Sequence, residues 1–294
     1  MINFIARLEE LRQQRRPVFV ELQNVEQLEY DGLVVLLSVM VQFKSAKIRF
    51  NGDFPINAQA RDILETSGFF KGLDIPLRES EGYRIGDGQG IVTHAHTSVE
   101  SQLTARVIEH ASKAIWGRPY RCQGAQRVFV ELMQNTNNHA SPEHRGGKHW
   151  WVSVCHRDDG KKVSIAFVDY GVGVFRSLRS KRQGEKFYGA LEQMKANVGN
   201  LVDKMRYNDA ELLRGILRGE MHRTVSGKPF RGKGLPGIRA ALERNAIANL
   251  HIITNTVSGD VGADKYELLD QNFEGTFLYW ELNNSIEHCD GYQN

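Results

Sequence analysis

The stretch VFVELMQNTNNHA, from Val128 to Ala140, constrains the fold more than any other part of the chain. Glu131, Asn135 and His139 are spaced four apart, so in an α-helix they fall on nearly the same face. Val128, Phe129, Val130, Leu132 and Met133 supply apolar contacts on the other sides. A helix patterned this way either turns its polar stripe to solvent or lines a polar cleft with it. The stripe alone leaves both readings open.

At 294 residues the chain is long enough for a full core, and the usual size of a domain favours two. A net charge of +3 gives no global argument for nucleic acid or for an anionic membrane. The charge is uneven, however: from Arg176 to Arg239 fifteen Lys/Arg stand against six Asp/Glu. The longest apolar run, Leu33 to Phe43, is too short to span a bilayer and contains Ser38 and Gln42. The segment MINFIARLEELRQQRR mixes charged and apolar residues at helical spacing and lacks the layout of a signal peptide. Cys122, Cys155 and Cys289 are scattered and odd in number. They suggest neither a disulfide framework nor a zinc site, and fit a reducing cytoplasm.

The first part of the chain alternates strand and helix. An amphipathic helix over residues 2–15 stops before Pro17, and PVFVELQ reads as a buried strand. DGLVVLLSVMVQFKS is long enough for a helix, with Asp31 as its expected N-cap. AKIRFNG reads as a strand, and NAQARDILETSGFF as a helix with Gly68 near its C-cap. This predicts a small α/β layer over residues 1–85, followed by a connector over 86–97 that takes in the end of EGYRIGDGQG. A second unit, 98–284, opens with a long helix to about Trp116 and continues into the quoted helix. Two strands, KHWWVSVCHR and KKVSIAFVD, then form a hairpin. After a basic, helix-prone segment come the helix IRAALERN and the strands NLHIITNT, KYELL and TFLYWEL. Helices with a largely antiparallel sheet predict an α+β unit, with 285–294 as a tail.

Two glycine motifs complete the pattern. The strand VSIAFVD ends in Asp169, and YGVG follows, giving Asp-x-Gly-x-Gly. A carboxylate there can accept from an exocyclic amine, while Gly171 and Gly173 let backbone and ligand approach closely. Further on, RGKGLPGIRAAL places Gly232 and Gly234 before a helix whose first N–H groups attract phosphate. Arg231, Lys233 and Arg239 can add charge. The phosphate-loop pattern G-x-x-x-x-G-K-[ST] is absent, which disfavours a P-loop fold. Each motif alone is also compatible with a simple turn.

Taken in order, E-x-x-x-N-x-x-x-H-A on a helix, D-x-G-x-G at a strand end, G-x-G-L before a helix and Gly275-Thr276 leading into a strand form a recognisable series. It resembles the GHKL superfamily of Bergerat-fold ATP-binding proteins (gyrase, heat-shock chaperone, histidine kinase, mismatch-repair ATPase) over roughly Ser98 to Leu282. The resemblance implies a two-layer α/β sandwich that binds ATP with Mg²⁺. It implies that Asn135 holds the metal and that Glu131 is the general base. By the same resemblance Asp169 reads the adenine amino group, helped by Thr276, and Gly171 and Gly173 make room beside the base. Gly232, Gly234 and Leu235, with Arg231 and Lys233, would surround the phosphates, and residues 174–231 would form a lid.

His139-Ala140 at the end of the first box is similar to the anti-sigma-factor serine kinases. The long, helix-prone lid better suits an ATPase whose closure is signalled to a partner. His94, His96 and His110 lack the sequence context of a phosphoacceptor, and His94 with His96 lacks a third ligand for a metal site. Pro17 to Phe70 resembles the STAS domain of anti-sigma-factor antagonists, with Asp31 where that family has a regulated hydroxyl before the glycine. Three classes of function follow: an ATPase switch, a protein serine/threonine kinase, or a non-catalytic nucleotide sensor. Glu131 argues against the last. A protein partner is expected through the STAS-like layer or the lid, a homodimer is allowed, and nucleic acid is disfavoured despite the basic lid.

Overall fold

The computed structural model describes residues 1–74, 90–92, 98–139, 149–157, 161–179, 203–220, 234–286 and 290–291. At its centre lies a five-stranded antiparallel sheet in the order β3-β5-β6-β8-β7: β3 (Gly90–Val92), β5 (Trp150–Arg157), β6 (Lys162–Asp169), β7 (Ala248–Asp260) and β8 (Lys265–Asn283). Side chains of β5, β6 and the second half of β8 alternate between its two faces. Trp150, Val152, Val154, Ile165, Phe167, Leu278 and Trp280 join one core, whereas Trp151, Cys155, Ala166, Val168 and Phe277 join another. Both faces are therefore covered, which explains why WWVSVC and VSIAFV are apolar at successive positions.

Much of the first core comes from four helices. They are α5 (Ser101–Trp116), α6 (Gln123–His139), α8 (Asp203–Leu217) and α9 (Gly234–Glu243). On α6, Val128, Phe129, Leu132 and Met133 are buried, and Phe129 meets Trp280 edge-on at 5.0 Å. That apolar side fixes the rotation of α6 and thereby the direction of its polar stripe. The chain is α+β, as expected.

The N-terminal residues supply the second core. Here α1 (Ile2–Gln13), β1 (Val18–Val20), α2 (Tyr30–Ser45), β2 (Phe50–Gly52), α3 (Ala58–Thr66) and α4 (Phe69–Asp74) follow the predicted alternation. β1 and β2 pair in parallel through α2. Ile5, Leu8, Val34 and Leu37 then pack with Trp151, Val168 and Phe277 of the large sheet. The layer is thus part of a continuous core with the second unit. β3, which falls in the stretch read as a connector, is an edge strand of the large sheet.

Several other expectations are corrected. Asp31 is not the N-cap of α2; Glu29 holds that position without a side-chain cap bond. Asp31 sits in the first turn, where Arg157 of β5 donates to it at 3.4 Å and pairs with Glu29 at 2.5 Å. The bridge ties the two layers together. KYELL and TFLYWEL are one strand, β8, because the segment between them stays extended and paired with β7 through register shifts around Asn255. Cys122 is disulfide-bonded, contrary to the reading of the odd count, while Cys155 is free and buried. The cysteine argument for a reducing compartment is thereby removed. Among the described residues no helix is long and apolar enough to cross a membrane.

Candidate functional site

Asp169 ends β6, the central strand, opposite Thr276 of β8. Both lie on the side of the sheet covered by α5, α6, α8 and α9, since β6 alternates and Val163, Ile165 and Phe167 belong to that core. The Asp169 carboxylate accepts from the Gly171 amide at 2.9 Å and from the Thr136 hydroxyl of α6 at 3.5 Å. Burial pushes its carboxyl up to about 6, against the opposing effect of bonds from Gly171, Thr136 and the Thr276 backbone. At neutral pH it remains a mostly ionised acceptor.

The glycines beside Asp169 have separate physical reasons. At Gly171 a Cβ would stand 3.0 Å from Asp169 Oδ1. Gly275, with φ 109°, lies so close to Asp169 that a Cβ would come within 2.0 Å of its carbonyl oxygen. Gly173, with φ 72°, answers to Asn255: a Cβ there would meet the Asn255 amide at 2.4 Å. It opens helix α7 (Gly173–Arg179), whose amides are capped from β7. Val174 N–H donates to Thr254 Oγ1 and Phe175 N–H to Asn255 Oδ1, each at 3.1 Å. Asn255 returns a bond to the Val172 carbonyl, and Thr254 to that of Gly275. The two β7 residues therefore hold both the Asp-x-Gly-x-Gly turn and the Gly275 turn in place.

The first box meets the third across a helix contact. Asn135 is half-buried on α6, and a Cβ at Gly234 would lie 3.0 Å from both its amide nitrogen and its amide oxygen. Gly234 starts α9, with Leu235 packed against the helix-side core. The first amides of α9 thus open beside a neutral oxygen donor, a setting suited to phosphate. Glu131, one turn before Asn135, is 18 % exposed and lies 3.8 Å from the Arg127 guanidinium.

Glu131, Asn135, Asp169, Gly171, Gly234 and Thr276 are therefore drawn from α6, the end of β6, the start of α9 and β8. The side chain of His139, and Arg231, Gly232 and Lys233, lie outside the described residues. Arg239, expected to add charge, is engaged by Glu243 at 2.8 Å and by Asp264 at 3.2 Å. The expected lid is also revised. Ala210, Leu213, Ile216 and Leu217 of α8 belong to the main core, so residues 210–217 do not form part of a free flap. The parts of that segment at 180–202 and 221–231 lie outside the described residues.

Sequence reasoning missed Thr136, Arg127, Thr254 and Asn255. Thr136 adjoins Asn135 but projects about 100° further round the helix, outside a four-residue stripe. Thr254 and Asn255 are polar residues in a strand, with no local pattern to mark them.

A site for Mg²⁺ can be tested by its donor set. Among the described residues no group of three or more His, Cys, Asp or Glu is placed to hold a metal. Mg²⁺ keeps several waters and takes few protein ligands plus substrate phosphates, so a single amide oxygen beside a helix start suits it. Asn135 is the side chain that would hold it. No family model, curated protein or solved structure matches the chain.

Proposed function

We propose that the chain is a Mg²⁺-dependent ATP-binding protein of the GHKL type, built on the Bergerat fold, which hydrolyses ATP and couples that state to a protein partner. The observation that carries this reading is the convergence of Asp169, Thr276, Asn135 and Gly234 around one end of the sheet and the α6–α9 contact. An ionised acceptor for an exocyclic amine stands at one side. A helix start beside Asn135 stands at the other, suited to phosphate. Bound Mg²⁺ would neutralise charge on the β- and γ-phosphates. Asn135 would orient the phosphates, Glu131 would orient or deprotonate the attacking group, and Asp169 would select adenine.

The protein serine/threonine kinase reading gains from the placement of α8. Lid length was the argument for an ATPase, and Ala210, Leu212, Leu213, Ile216 and Leu217 within that stretch are core rather than lid. Incubation with γ-labelled ATP separates the two: release of free phosphate supports the ATPase, and label appearing on a protein partner supports the kinase. No Mg²⁺-dependent ATP binding at all would overturn both. The N-terminal layer, STAS-like in its sequence pattern, is the proposed partner-binding part, joined to the sheet that carries the site through its packed face.

A further inference from the structure

The base end of the site and the N-terminal layer meet at helix α1. Strand β6 sends Asp169 to the nucleotide side of the sheet. The next residue, Tyr170, packs on the other side against Trp151 and Phe273. On β8 the pairing with β7 jumps from Thr276, opposite Thr254, to Phe273, opposite Asn255. Glu274 and Gly275 are therefore extra residues at a bulge. Gly275 leads to Thr276 in the nucleotide site, whereas Glu274 is engaged by α1. Arg12 lies 3.5 Å from Glu274 Oε2, and Gln13 Nε2 donates to Glu274 Oε1 at 3.3 Å. Arg12 also donates to Glu9 Oε2 at 2.7 Å. Asp169 and the Gly275-Thr276 box thus each adjoin a residue within reach of the charges on α1.

The cluster is nearly enclosed. The Glu9 side chain is 7 % exposed, and its other oxygen is buried without a partner among the described residues. Burial raises its pKa, Arg12 opposes that, and Glu274 adds to it. The Tyr170 hydroxyl is buried too, near enough for Glu9, Arg12 and Glu274 to bear on it, with Ser38 of α2 beside it. One guanidinium therefore serves two carboxylates. Taking it away leaves two like charges with no counter-charge between them. Glu274 yields first, because a bulged residue is unpaired in the ladder, and Gly275 and Thr276 move with it. We propose that Arg12 is a positioning residue for the base end, and that α1 is the route by which the N-terminal layer bears on the site. The proposal rests on the reading of Asp169 and Thr276 as adenine contacts. The phosphate end is held from the opposite face of the sheet, by α9 and by α6, which follows the short strand β4 (Tyr120–Arg121).

The test uses the full chain, well below the melting temperature of each variant. Calorimetric titration reads Mg-ATP, and Mg-tripolyphosphate, which lacks a base, is read by competition against it. Arg12→Gln should weaken Mg-ATP about tenfold and leave Mg-tripolyphosphate unchanged. Arg12→Lys, which keeps a charge between the carboxylates, should lose less. Hydrogen exchange gives the reciprocal reading: Mg-ATP should slow exchange of the α1 amides in the unmodified chain but not in Arg12→Gln. A lower melting temperature with unchanged Mg-ATP affinity would make Arg12 purely structural and overturn the proposal. Equal weakening of both ligands would overturn it too, as a general loosening. Exchange in α1 that ignores Mg-ATP would remove the route through that helix. Should Arg12→Gln not fold, Glu274→Gln decides: the same split is expected, smaller in size, and unchanged Mg-ATP affinity there overturns the proposal. No Mg-ATP binding by the unmodified chain would instead overturn the nucleotide reading, and this proposal with it.

Discussion

Asn135 and Gly234 touch: the amide of one fills the space that a side chain on the other would need, with both amide atoms 3.0 Å from the position of a Cβ. The contact joins two motifs almost one hundred residues apart in the chain. It also makes Gly234→Ala an informative substitution. Alanine favours a helix over glycine by about 1 kcal/mol, so local propensity predicts no loss of stability. The added methyl must instead displace the Asn135 amide. Gly234→Ala should therefore keep its melting temperature within a few degrees and lose most Mg-ATP affinity. Unchanged affinity by calorimetric titration would separate Gly234 and Asn135 from the nucleotide site.

Asp169 gives the site a pH dependence. Its folded carboxyl titrates at about 6, above the unfolded value of 3.8, because of burial. The folded state therefore binds a proton more readily, and this group's contribution to stability falls as pH rises from about 4 to about 6. Binding should run the other way, since an amine requires the ionised acceptor. ATP affinity should drop as pH falls through about 6. Asp169→Asn should abolish that dependence, weaken ATP binding strongly, and raise stability at neutral pH by up to about 3 kcal/mol. GTP should bind the unmodified chain worse than ATP, because guanine presents a carbonyl where adenine presents an amine. Calorimetry across pH with both nucleotides checks each point; equal ATP and GTP affinity would remove the role assigned to Asp169.

Glu131 and Asn135 share a stripe but should fail differently. Glu131→Ala should bind Mg-ATP nearly normally and lose turnover, because a base acts only as the nucleophile attacks. Asn135→Ala should lose affinity itself. Equilibrium binding alongside phosphate release distinguishes them, and turnover at the unmodified rate in Glu131→Ala would end its assignment as base.

How much of this was readable in the chain varies with the range of the interaction. The Glu131–Asn135 stripe and the Asp169 turn are local patterns, and helix and strand periods place them. That Gly234 abuts Asn135 depends on how α9 packs against α6, which no local period encodes. The covered second face of the sheet did leave a signal. Trp150 with Trp151, and Ala166 with Phe167, are apolar neighbours on a strand, which requires both faces to be buried. The single strand β8 left none, because its first half is largely exposed and its side chains do not alternate in polarity. Asp31 misled because an Asp before a helix suits a cap, whereas here its carboxylate meets Arg157 across the layer boundary.

Asp264 should control how firmly α8 is held. It sits at the β7–β8 turn and gathers three guanidiniums. Arg214 lies 3.4 Å and Arg218 2.5 Å from Oδ2, and Arg239 lies 3.2 Å from Oδ1. Arg214 is on α8, Arg218 follows its last residue and Arg239 is on α9, so one carboxylate fastens both helices to the hairpin. Beneath them Leu212, Leu213, Ile216 and Leu217 are buried. Trypsin should therefore cut slowly after Arg214 and Arg218, with or without Mg-ATP. A free lid would instead be protected by nucleotide. Asp264→Asn keeps the shape of the side chain and removes its charge, leaving three guanidiniums close together without their shared counter-charge. Cutting after Arg214 and Arg218 should then speed up several-fold, while the buried leucines keep α8 folded. Fast cutting at these two arginines in the unmodified chain, slowed by Mg-ATP, would return α8 to the lid.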